Sequence, residues 1–133
     1  AAIRGIEKDG LGPFSADFIK KAFAPQTLAR NRPCVAVVKD MILRNDPKGV
    51  CVAAQAIMSR SDTTSALPGV KVPTLVLAGE FDSLTPPQTG RALAAAIPGA
   101  KFAEIPGAGH LSSLETPAAF NRHLLEFLRG LPH

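Results

Sequence analysis

Two short turns in the second half of the sequence carry residue types suited to acid–base chemistry. The first is Gly79-Glu80-Phe81-Asp82, and the second is Pro106-Gly107-Ala108-Gly109-His110. Each turn follows a run of residues typical of a β-strand. Functional groups in an open parallel sheet collect beyond the carboxyl ends of the strands. We therefore expect Asp82 and His110 to emerge side by side from one edge of a sheet.

An aspartate and a histidine in this arrangement are two of the three groups that activate a serine nucleophile. The imidazole removes the serine proton during attack on an acyl carbon and later gives it to the leaving group, while the carboxylate holds the imidazole in the productive tautomer. The third group is missing, because no Gly-x-Ser-x-Gly nucleophile turn occurs in the 133 residues. The sequence therefore predicts part of a Ser-His-Asp site whose nucleophile lies outside this chain.

Simpler interpretations exist for these residues and for the nearby serines. Asp82 alone could be an ordinary turn aspartate, and His110 could be bonded to backbone in a tight loop. The two together, each behind a strand, favour the catalytic interpretation. Ser112 and Ser113 lack the strand-to-helix elbow that exposes a nucleophile, and Ser15 also fails the required spacing.

Three further residues are of types that could take part in catalysis or metal binding, but we interpret them as surface groups. We expect His123 and His133 to face solvent, and together with His110 they show no metal-ligand spacing. Arg60 is expected to form a surface salt bridge, with pairing to a substrate carboxylate as the less favoured alternative. The sequence thus predicts no metal site.

The second half reads as a strand–helix–strand–helix unit that positions the two turns. Residues 72–78 are apolar and β-branched, as in a strand covered on both faces, and residues 101–105 alternate as in a more exposed strand. Thr85-Pro86-Pro87-Gln88 predicts a capping box that begins the intervening helix. Thr116-Pro117 begins the last helix. This order predicts a parallel strand pair, and two such strands need further neighbours for their burial.

The first half of the sequence has helical periodicity. Apolar spacing predicts one helix over 14–29, with Ser15 as its cap. A second helix is predicted over 33–43, and because most of its circumference is apolar we expect burial on more than one side. Asp46-Pro47 predicts the cap and first position of a third helix that runs to about Arg60.

Composition excludes several classes of protein. The chain is 46% apolar and 20% charged, as in soluble globular domains. Its net charge of +4 is spread without a dense basic block, which argues against nucleic-acid binding. No apolar run reaches the roughly 20 residues that cross a membrane, and no signal pattern is present. Cys34 and Cys51 are expected to be buried, reduced thiols, with a disulfide as the minority alternative. Because neither a membrane-spanning run nor a signal pattern is found, we expect a cytoplasmic location.

Three motifs in the second half occur together in a known family. They are Val72-Pro73-Thr74-Leu75-Val76-Leu77-Ala78-Gly79-Glu80-Phe81-Asp82-Ser83-Leu84-Thr85-Pro86-Pro87, Ile97-Pro98-Gly99-Ala100, and Gly107-Ala108-Gly109-His110-Leu111-Ser112-Ser113-Leu114-Glu115-Thr116-Pro117, followed by Phe120 and Phe127-Leu128. This combination resembles the C-terminal segment of α/β-hydrolases over roughly residues 68–130. It is most similar to 3-oxoadipate enol-lactone hydrolases and their esterase and haloperoxidase-like relatives.

The resemblance implies an α/β fold, with the C-terminal part of an α/β-hydrolase parallel sheet preceded by a helical lid. Residues 1–65 resemble the lid and residues 66–133 the C-terminal part of the core, divided within the polar stretch 61–69. By the same resemblance Asp82 is the triad acid and His110 the triad base, and neither a metal nor an organic cofactor is implied.

The resemblance implies a serine-type hydrolase that cleaves a small-molecule carboxylic ester or lactone, as an enol-lactonase does. The family's strand–turn–helix that bears the nucleophile and its loop that supplies the oxyanion hole have no counterpart in these residues, so the chain alone should not turn over esters. The missing strands would come from an N-terminal half of the same fold or from a second copy of the chain. One alternative is a non-catalytic binding or assembly module derived from the fold. Another is a cofactor-free haloperoxidase or C–C bond hydrolase, since the same triad supports these reactions.

Overall fold

Helices form the first half of the chain, and a strand–helix–strand unit begins the second half. The computed structural model describes residues 2–30 and 32–131. Within them lie α1 (Ala2–Asp9), α2 (Leu11–Ala22), α3 (Pro25–Ala29), α4 (Pro33–Leu43), α5 (Pro47–Met58), a 3₁₀ helix (Thr64–Gly69), β1 (Leu75–Gly79), α6 (Pro87–Ala96), β2 (Lys101–Ile105), α7 (Ser112–Glu115) and α8 (Pro117–Arg129). We refer to α1–α5 as the helical segment.

The chain bends between α2 and α3, so the prediction of one helix over 14–29 is wrong. The two residues after α2 are extended, both with ψ of 147°. The cause is Pro25, because a proline disfavours the helical conformation in the residue before it and suits the first position of a new helix. Ser15 is not a cap either. It lies buried inside α2, where its hydroxyl donates to the carbonyl oxygen of Gly12 at 2.8 Å.

The boundaries of α4 and α5 follow the sequence closely. Helix α4 spans the predicted residues, and the Asp46 carboxylate caps α5 by accepting from the backbone N–H groups of Lys48 and Gly49. Helix α5 ends at Met58, slightly before the predicted Arg60. A local signal, a capping aspartate followed by proline, was sufficient here because the partners of the cap are its immediate neighbours.

The expected burial of α4 on several sides is wrong for the described part of the chain. Val38 is buried, but Val37 is 53% exposed and Met41 is 61% exposed. The helix packs mainly against α2. Its remaining apolar surface therefore has no cover among residues 2–30 and 32–131.

Two clusters of buried apolar side chains are centred on the helical segment. The first consists of Ile6, Leu11 and Cys51. The second consists of Ile19, Phe23 and Val38. Leu111 packs against the second cluster, so the residue that follows His110 rests on the helical segment. Both cysteines are free, as expected, although Cys34 is only half-buried.

The two strands form the predicted parallel pair. Their register runs from Leu75 opposite Lys101 to Gly79 opposite Ile105, so both strands end at the same level. Helix α6 connects the strands and packs on both of them. The first strand begins at Leu75 rather than at residue 72. This register brings the turns that follow β1 and β2 together at one edge.

Much of the strand–helix unit is incompletely covered within the described residues. Strand β1 is only half-buried from Leu75 to Leu77, and no residue of α8 is fully buried. Among these residues the sheet has two strands. Within the same ranges, no helix has the length and apolarity needed to cross a bilayer.

Candidate active site

Asp82 and His110 lie in contact at the edge where β1 and β2 end. The Nδ1 atom of His110 is 2.9 Å from Oδ2 of Asp82. The aspartate side chain is 5% exposed, whereas the histidine ring is 35% exposed. One member of the pair is thus enclosed in the protein, and the other faces outward from it.

The Asp82 carboxylate is held by four donors. Its Oδ1 atom accepts from the backbone N–H groups of Leu84 and Thr85, both at 2.9 Å, and its Oδ2 atom accepts from the Thr85 hydroxyl at 2.7 Å. Burial alone would raise the pKa of Asp82. The hydrogen bonds from Thr85 and from the His110 ring outweigh burial and hold that pKa below its ordinary value. Asp82 is therefore ionised at neutral pH.

Thr85 does not form the predicted capping box. Its hydroxyl donates to Asp82, and α6 begins at Pro87 without any side-chain cap. The Thr85 hydroxyl oxygen also lies 3.2 Å from Nδ1 of His110. Thr85 is therefore part of the acid–histidine cluster. The sequence did not indicate this role, because a threonine just before a helix is typical of a cap.

The hydrogen bonds around His110 determine which of its two ring nitrogens carries the proton. Oδ2 of Asp82 is an acceptor, so Nδ1 of His110 is the protonated nitrogen that donates to it. The other ring nitrogen, Nε2, then carries the lone pair and is the atom that can accept a proton. An imidazole held in this tautomer by a buried carboxylate has the arrangement of a general base.

The two turns brace each other directly. The N–H of Phe81 donates to the carbonyl oxygen of Ala108 at 2.8 Å, and the N–H of Gly107 donates to the Glu80 carboxylate at 2.8 Å. The backbones approach so closely that a Cβ on Gly79 would lie 2.6 Å from the carbonyl oxygen of Ala108. Only glycine fits at position 79 without moving the histidine turn.

The helical segment also contacts both turns. The N–H of His110 donates to the carbonyl oxygen of Ala22 at 2.7 Å, and the Ser83 hydroxyl donates to the carbonyl oxygen of Lys21 at 2.8 Å. A Cβ on Gly109 would lie 2.6 Å from the carbonyl oxygen of Ala22. The end of α2 is therefore in direct contact with the site.

Glu115 is a site-supporting residue that the sequence reasoning missed. It is fully buried, and its carboxylate accepts from Gly109 N–H at 2.7 Å, from Ala24 N–H at 2.8 Å and from the Thr27 hydroxyl at 2.7 Å. Two of these partners lie about 90 residues away in the chain, so no local pattern could reveal them.

The other sequence candidates lie apart from this cluster. Ser112 is buried and Ser113 is exposed, and both belong to the short helix α7. Arg60 is exposed and bonds the backbone of Ile57 rather than an acidic partner. His123 is half-buried, which corrects the expectation that it faces solvent, and His133 lies outside the described residues. Within residues 2–30 and 32–131, no cluster of three His, Cys, Asp or Glu side chains is suited to a metal.

The clearest clefts in this part of the chain are lined by residues other than Asp82 and His110. A cleft of about 570 Å³ lies between α1 and α5, lined by residues such as Ile6, Lys48 and Cys51, away from Asp82 and His110. The His110 ring is 35% exposed, so further residues would have to complete a pocket around it.

Comparison with known proteins identifies a family. A family model described as TAP-like protein, of the α/β-hydrolase class, matches residues 38–131. The chain is 36% identical to a segment of the polyketide synthase ThaQ of Burkholderia thailandensis, covering 96% of this chain and 6% of that protein. It is 40% identical to a putative non-heme bromoperoxidase, BpoC, of Mycobacterium tuberculosis over 51% of this chain and 27% of that protein.

Solved structures resemble this one along nearly its whole length. A thermophilic esterase from Thermogutta terrifontis superposes with a TM-score of 0.88 and 36% identity, covering 96% of this chain and 47% of the esterase. The enol-lactonase from Burkholderia xenovorans LB400 gives a TM-score of 0.88 and 29% identity, covering 96% and 48%. The chain thus spans about half the length of these two proteins and still less of the curated relatives above.

Proposed function

We propose that this chain, which belongs to the α/β-hydrolase superfamily, supplies the general base and the orienting acid of a hydrolase that cleaves carboxylic esters or lactones. The observation that carries the proposal is the 2.9 Å contact between Nδ1 of His110 and the buried carboxylate of Asp82. His110 is the base and Asp82 its orienting acid. The nucleophile is a serine outside residues 1–133.

The proposed reaction follows from the tautomer of His110. Nε2 takes the proton of the serine hydroxyl as the serine oxygen attacks the acyl carbon, and the resulting imidazolium is stabilised by Asp82. The imidazolium then gives its proton to the departing alcohol oxygen, which leaves an acyl-enzyme. His110 next takes a proton from water, the resulting hydroxide attacks the acyl carbon, and the serine oxygen leaves with that proton. Neither a metal nor an organic cofactor takes part.

We also propose that residues 1–65 are a lid and that residues 66–133 are the C-terminal part of the core. The contacts of Ala22 and Lys21 with the two turns support a lid that lies over the site. The half-buried β1 strand supports a partner that completes the sheet, either an N-terminal half of the same fold or a second copy of the chain. The two free cysteines support a reducing, cytoplasmic location.

The substrate class is proposed from the esterase and the enol-lactonase, which share this arrangement of elements. Both ester and lactone cleavage need the same acyl transfer to a serine. Because the His110 ring is partly exposed, a small-molecule substrate could reach it from solvent. The size of the acyl group that the site accepts depends on the residues that complete the pocket.

The test is turnover of a p-nitrophenyl ester and of an enol-lactone by the complete gene product that contains residues 1–133. His110→Ala should lower kcat on the order of 10⁴-fold or more while the protein stays folded, because the base is removed. The matched control is His123→Gln, a histidine on α8 away from the cluster, which should keep its activity. Near-normal turnover by His110→Ala would remove His110 from the mechanism.

A second candidate is a cofactor-free haloperoxidase, favoured by the 40% identity to a putative non-heme bromoperoxidase over 71 residues. Here hydrogen peroxide would replace water as the nucleophile that attacks the acyl-enzyme, and a peracid would leave. Bromination that needs both peroxide and a carboxylic acid, with little ester hydrolysis, would favour this candidate. A non-catalytic module would show neither activity in the complete protein.

A further inference from the structure

Glu115 is a fully buried carboxylate that the proposed mechanism does not use. It is the last residue of α7, and its side chain reaches away from that helix towards two separate segments. Its three carboxylate contacts are all hydrogen bonds from neutral groups. Burying a carboxylate is unfavourable unless donors surround it, so this cluster of donors is what makes its position possible.

The two oxygens of Glu115 bind different parts of the molecule. Oε1 accepts from the N–H of Gly109, the residue directly before His110. Oε2 accepts from the N–H of Ala24 and the hydroxyl of Thr27, which lie at the corner between α2 and α3. One side chain therefore joins the histidine turn to the helical segment.

Further contacts hold the same two parts together. The N–H of His110 donates to the carbonyl oxygen of Ala22, and the side chain of Leu111 packs on the apolar cluster of α2 and α4. Arg32 adds a bond from its guanidinium to the carbonyl oxygen of Glu115. The backbone on both sides of His110 is thus fixed by the helical segment as well as by strand β2.

We propose that Glu115 is a positioning residue that couples the alignment of His110 to the seating of the helical segment. When the α2–α3 corner is bound to Glu115, the Gly109–His110 backbone is held where the ring meets Asp82. When the corner moves away, Oε2 loses both of its donors, and the turn loses its support from that side. The proposal rests on the proposed function for its kinetic consequence, but the structural coupling does not depend on it.

The chemistry of the contacts makes Glu115→Gln an informative variant. Each carboxylate oxygen faces a backbone N–H, from Gly109 on one side and from Ala24 on the other. An amide has one acceptor oxygen and one donor nitrogen, so in either orientation its NH₂ group faces an N–H. Glutamine has nearly the same volume, yet it cannot satisfy both partners.

The experiment uses the complete gene product and two independent readouts. The first is the ¹⁵N-histidine NMR signal of the Nδ1 proton of His110, assigned by its loss in His110→Ala. The second is kcat and KM for ester hydrolysis. Glu115→Gln should shift or broaden the Nδ1 proton signal and lower kcat about 100-fold, with KM changed much less, because a misplaced base slows the chemical step rather than binding.

Thr27 offers a test from the other side of the contact. Thr27→Val removes a donor that touches Glu115 but not His110, and it should produce the same kind of NMR change with a smaller loss of kcat. Thr27→Ser keeps the hydroxyl and should return the signal and most of the activity. Glu126→Gln, an exposed glutamate on α8, controls for the lost charge.

The outcomes separate the possible explanations. If Glu115→Gln melts at a lower temperature but keeps both kcat and the Nδ1 signal, Glu115 is merely structural and the proposal is wrong. If Glu115→Gln does not fold, the comparison of Thr27→Val with Thr27→Ser decides, and identical signals from the two would overturn the coupling. If the parent protein lacks esterase activity, the proposed function fails, while the NMR comparison still decides the positioning role.

Discussion

At the scale of single residues, the Asp82 carboxylate acts as the centre of the candidate site. It accepts hydrogen bonds from two backbone N–H groups, one hydroxyl and one imidazole N–H. These donors favour the ionised form more than burial opposes it, so the pKa of Asp82 is lowered. An acid that is charged at neutral pH fixes the tautomer of the neutral His110 imidazole.

The Thr85 hydroxyl is the donor to Asp82 that mutation can remove most cleanly. Because the pKa of Asp82 is lowered in the folded state, this group adds stability above the ordinary aspartate pKa and loses that stability as the pH falls through the folded-state pKa. Thr85→Val should raise the pKa of Asp82 towards its ordinary value and reduce the stability gained at neutral pH. Carboxyl ¹³C NMR titration and urea unfolding at several pH values measure the two effects.

Two variants serve as controls for Thr85→Val. Thr85→Ser keeps the hydroxyl, so its titration should follow that of the parent protein. Thr89→Val replaces an exposed threonine on α6 and should leave the Asp82 titration unchanged. An Asp82 pKa that stays the same in Thr85→Val would show that the backbone N–H groups and the His110 ring hold the carboxylate without the hydroxyl.

The sequence was informative about the candidate acid and base but not about their partners. Asp82 and His110 could be proposed because each follows a strand, and the parallel register brings both strand ends together. The spacing of Thr85 from Gln88 predicts a helix cap rather than a contact with Asp82. Glu115 gave no signal, since two of its three partners come from the distant α2–α3 corner.

At the scale of elements, the site depends on close backbone contacts between three segments. The turn after β2 lies between the turn after β1 and the end of α2, with glycines at both contacts. Gly79 faces the histidine turn, and Gly109 faces the end of α2. The absence of side chains at these positions lets backbone N–H and carbonyl groups meet directly.

Gly109→Ala should therefore destabilise the site strongly. The new Cβ would lie 2.6 Å from the carbonyl oxygen of Ala22 and 2.7 Å from the backbone nitrogen of Ala24, so the backbone must shift. We expect a loss of about 1–3 kcal/mol in the free energy of unfolding, the usual cost of overpacking. Denaturant unfolding of the complete gene product measures it, and ester hydrolysis should fall as well.

The matched control is Gly49→Ala inside α5. The nearest atom to a Cβ there is an Asp46 oxygen at 3.8 Å, so the methyl group fits. Alanine is the better helix former, and the control should be neutral or stabilising by up to about 1 kcal/mol. Equal stabilities of Gly109→Ala and the parent protein would contradict the close-contact argument.

The start of α5 could be predicted because its signal, Asp46-Pro47, is local. The bend before Pro25 had a local signal that apolar periodicity outweighed. The direct contact of Ala22 with His110 had none, because it joins segments far apart in sequence. The parallel pairing of β1 and β2 followed from the order of elements alone.

At the scale of the whole molecule, the described residues leave apolar surface without cover. Leu125 and Leu128 on α8 are 47% and 46% exposed, and Met41 on α4 is 61% exposed. The two-stranded sheet also has an unpaired edge within residues 2–30 and 32–131. Parallel strands are stable when helices and neighbouring strands cover them, and a pair alone is not enough.

The 133-residue chain produced on its own should therefore associate with itself. Its open sheet edge offers unpaired N–H and carbonyl groups, and its exposed leucines offer apolar contacts, which together favour pairing with another copy. Size-exclusion chromatography with light scattering should show dimers or larger species. If the rest of the complete gene product completes the sheet, co-expression of that remainder should replace self-association with a one-to-one complex. A stable, compact monomer at high concentration would contradict this, because it would mean that two strands and their helices suffice without further cover.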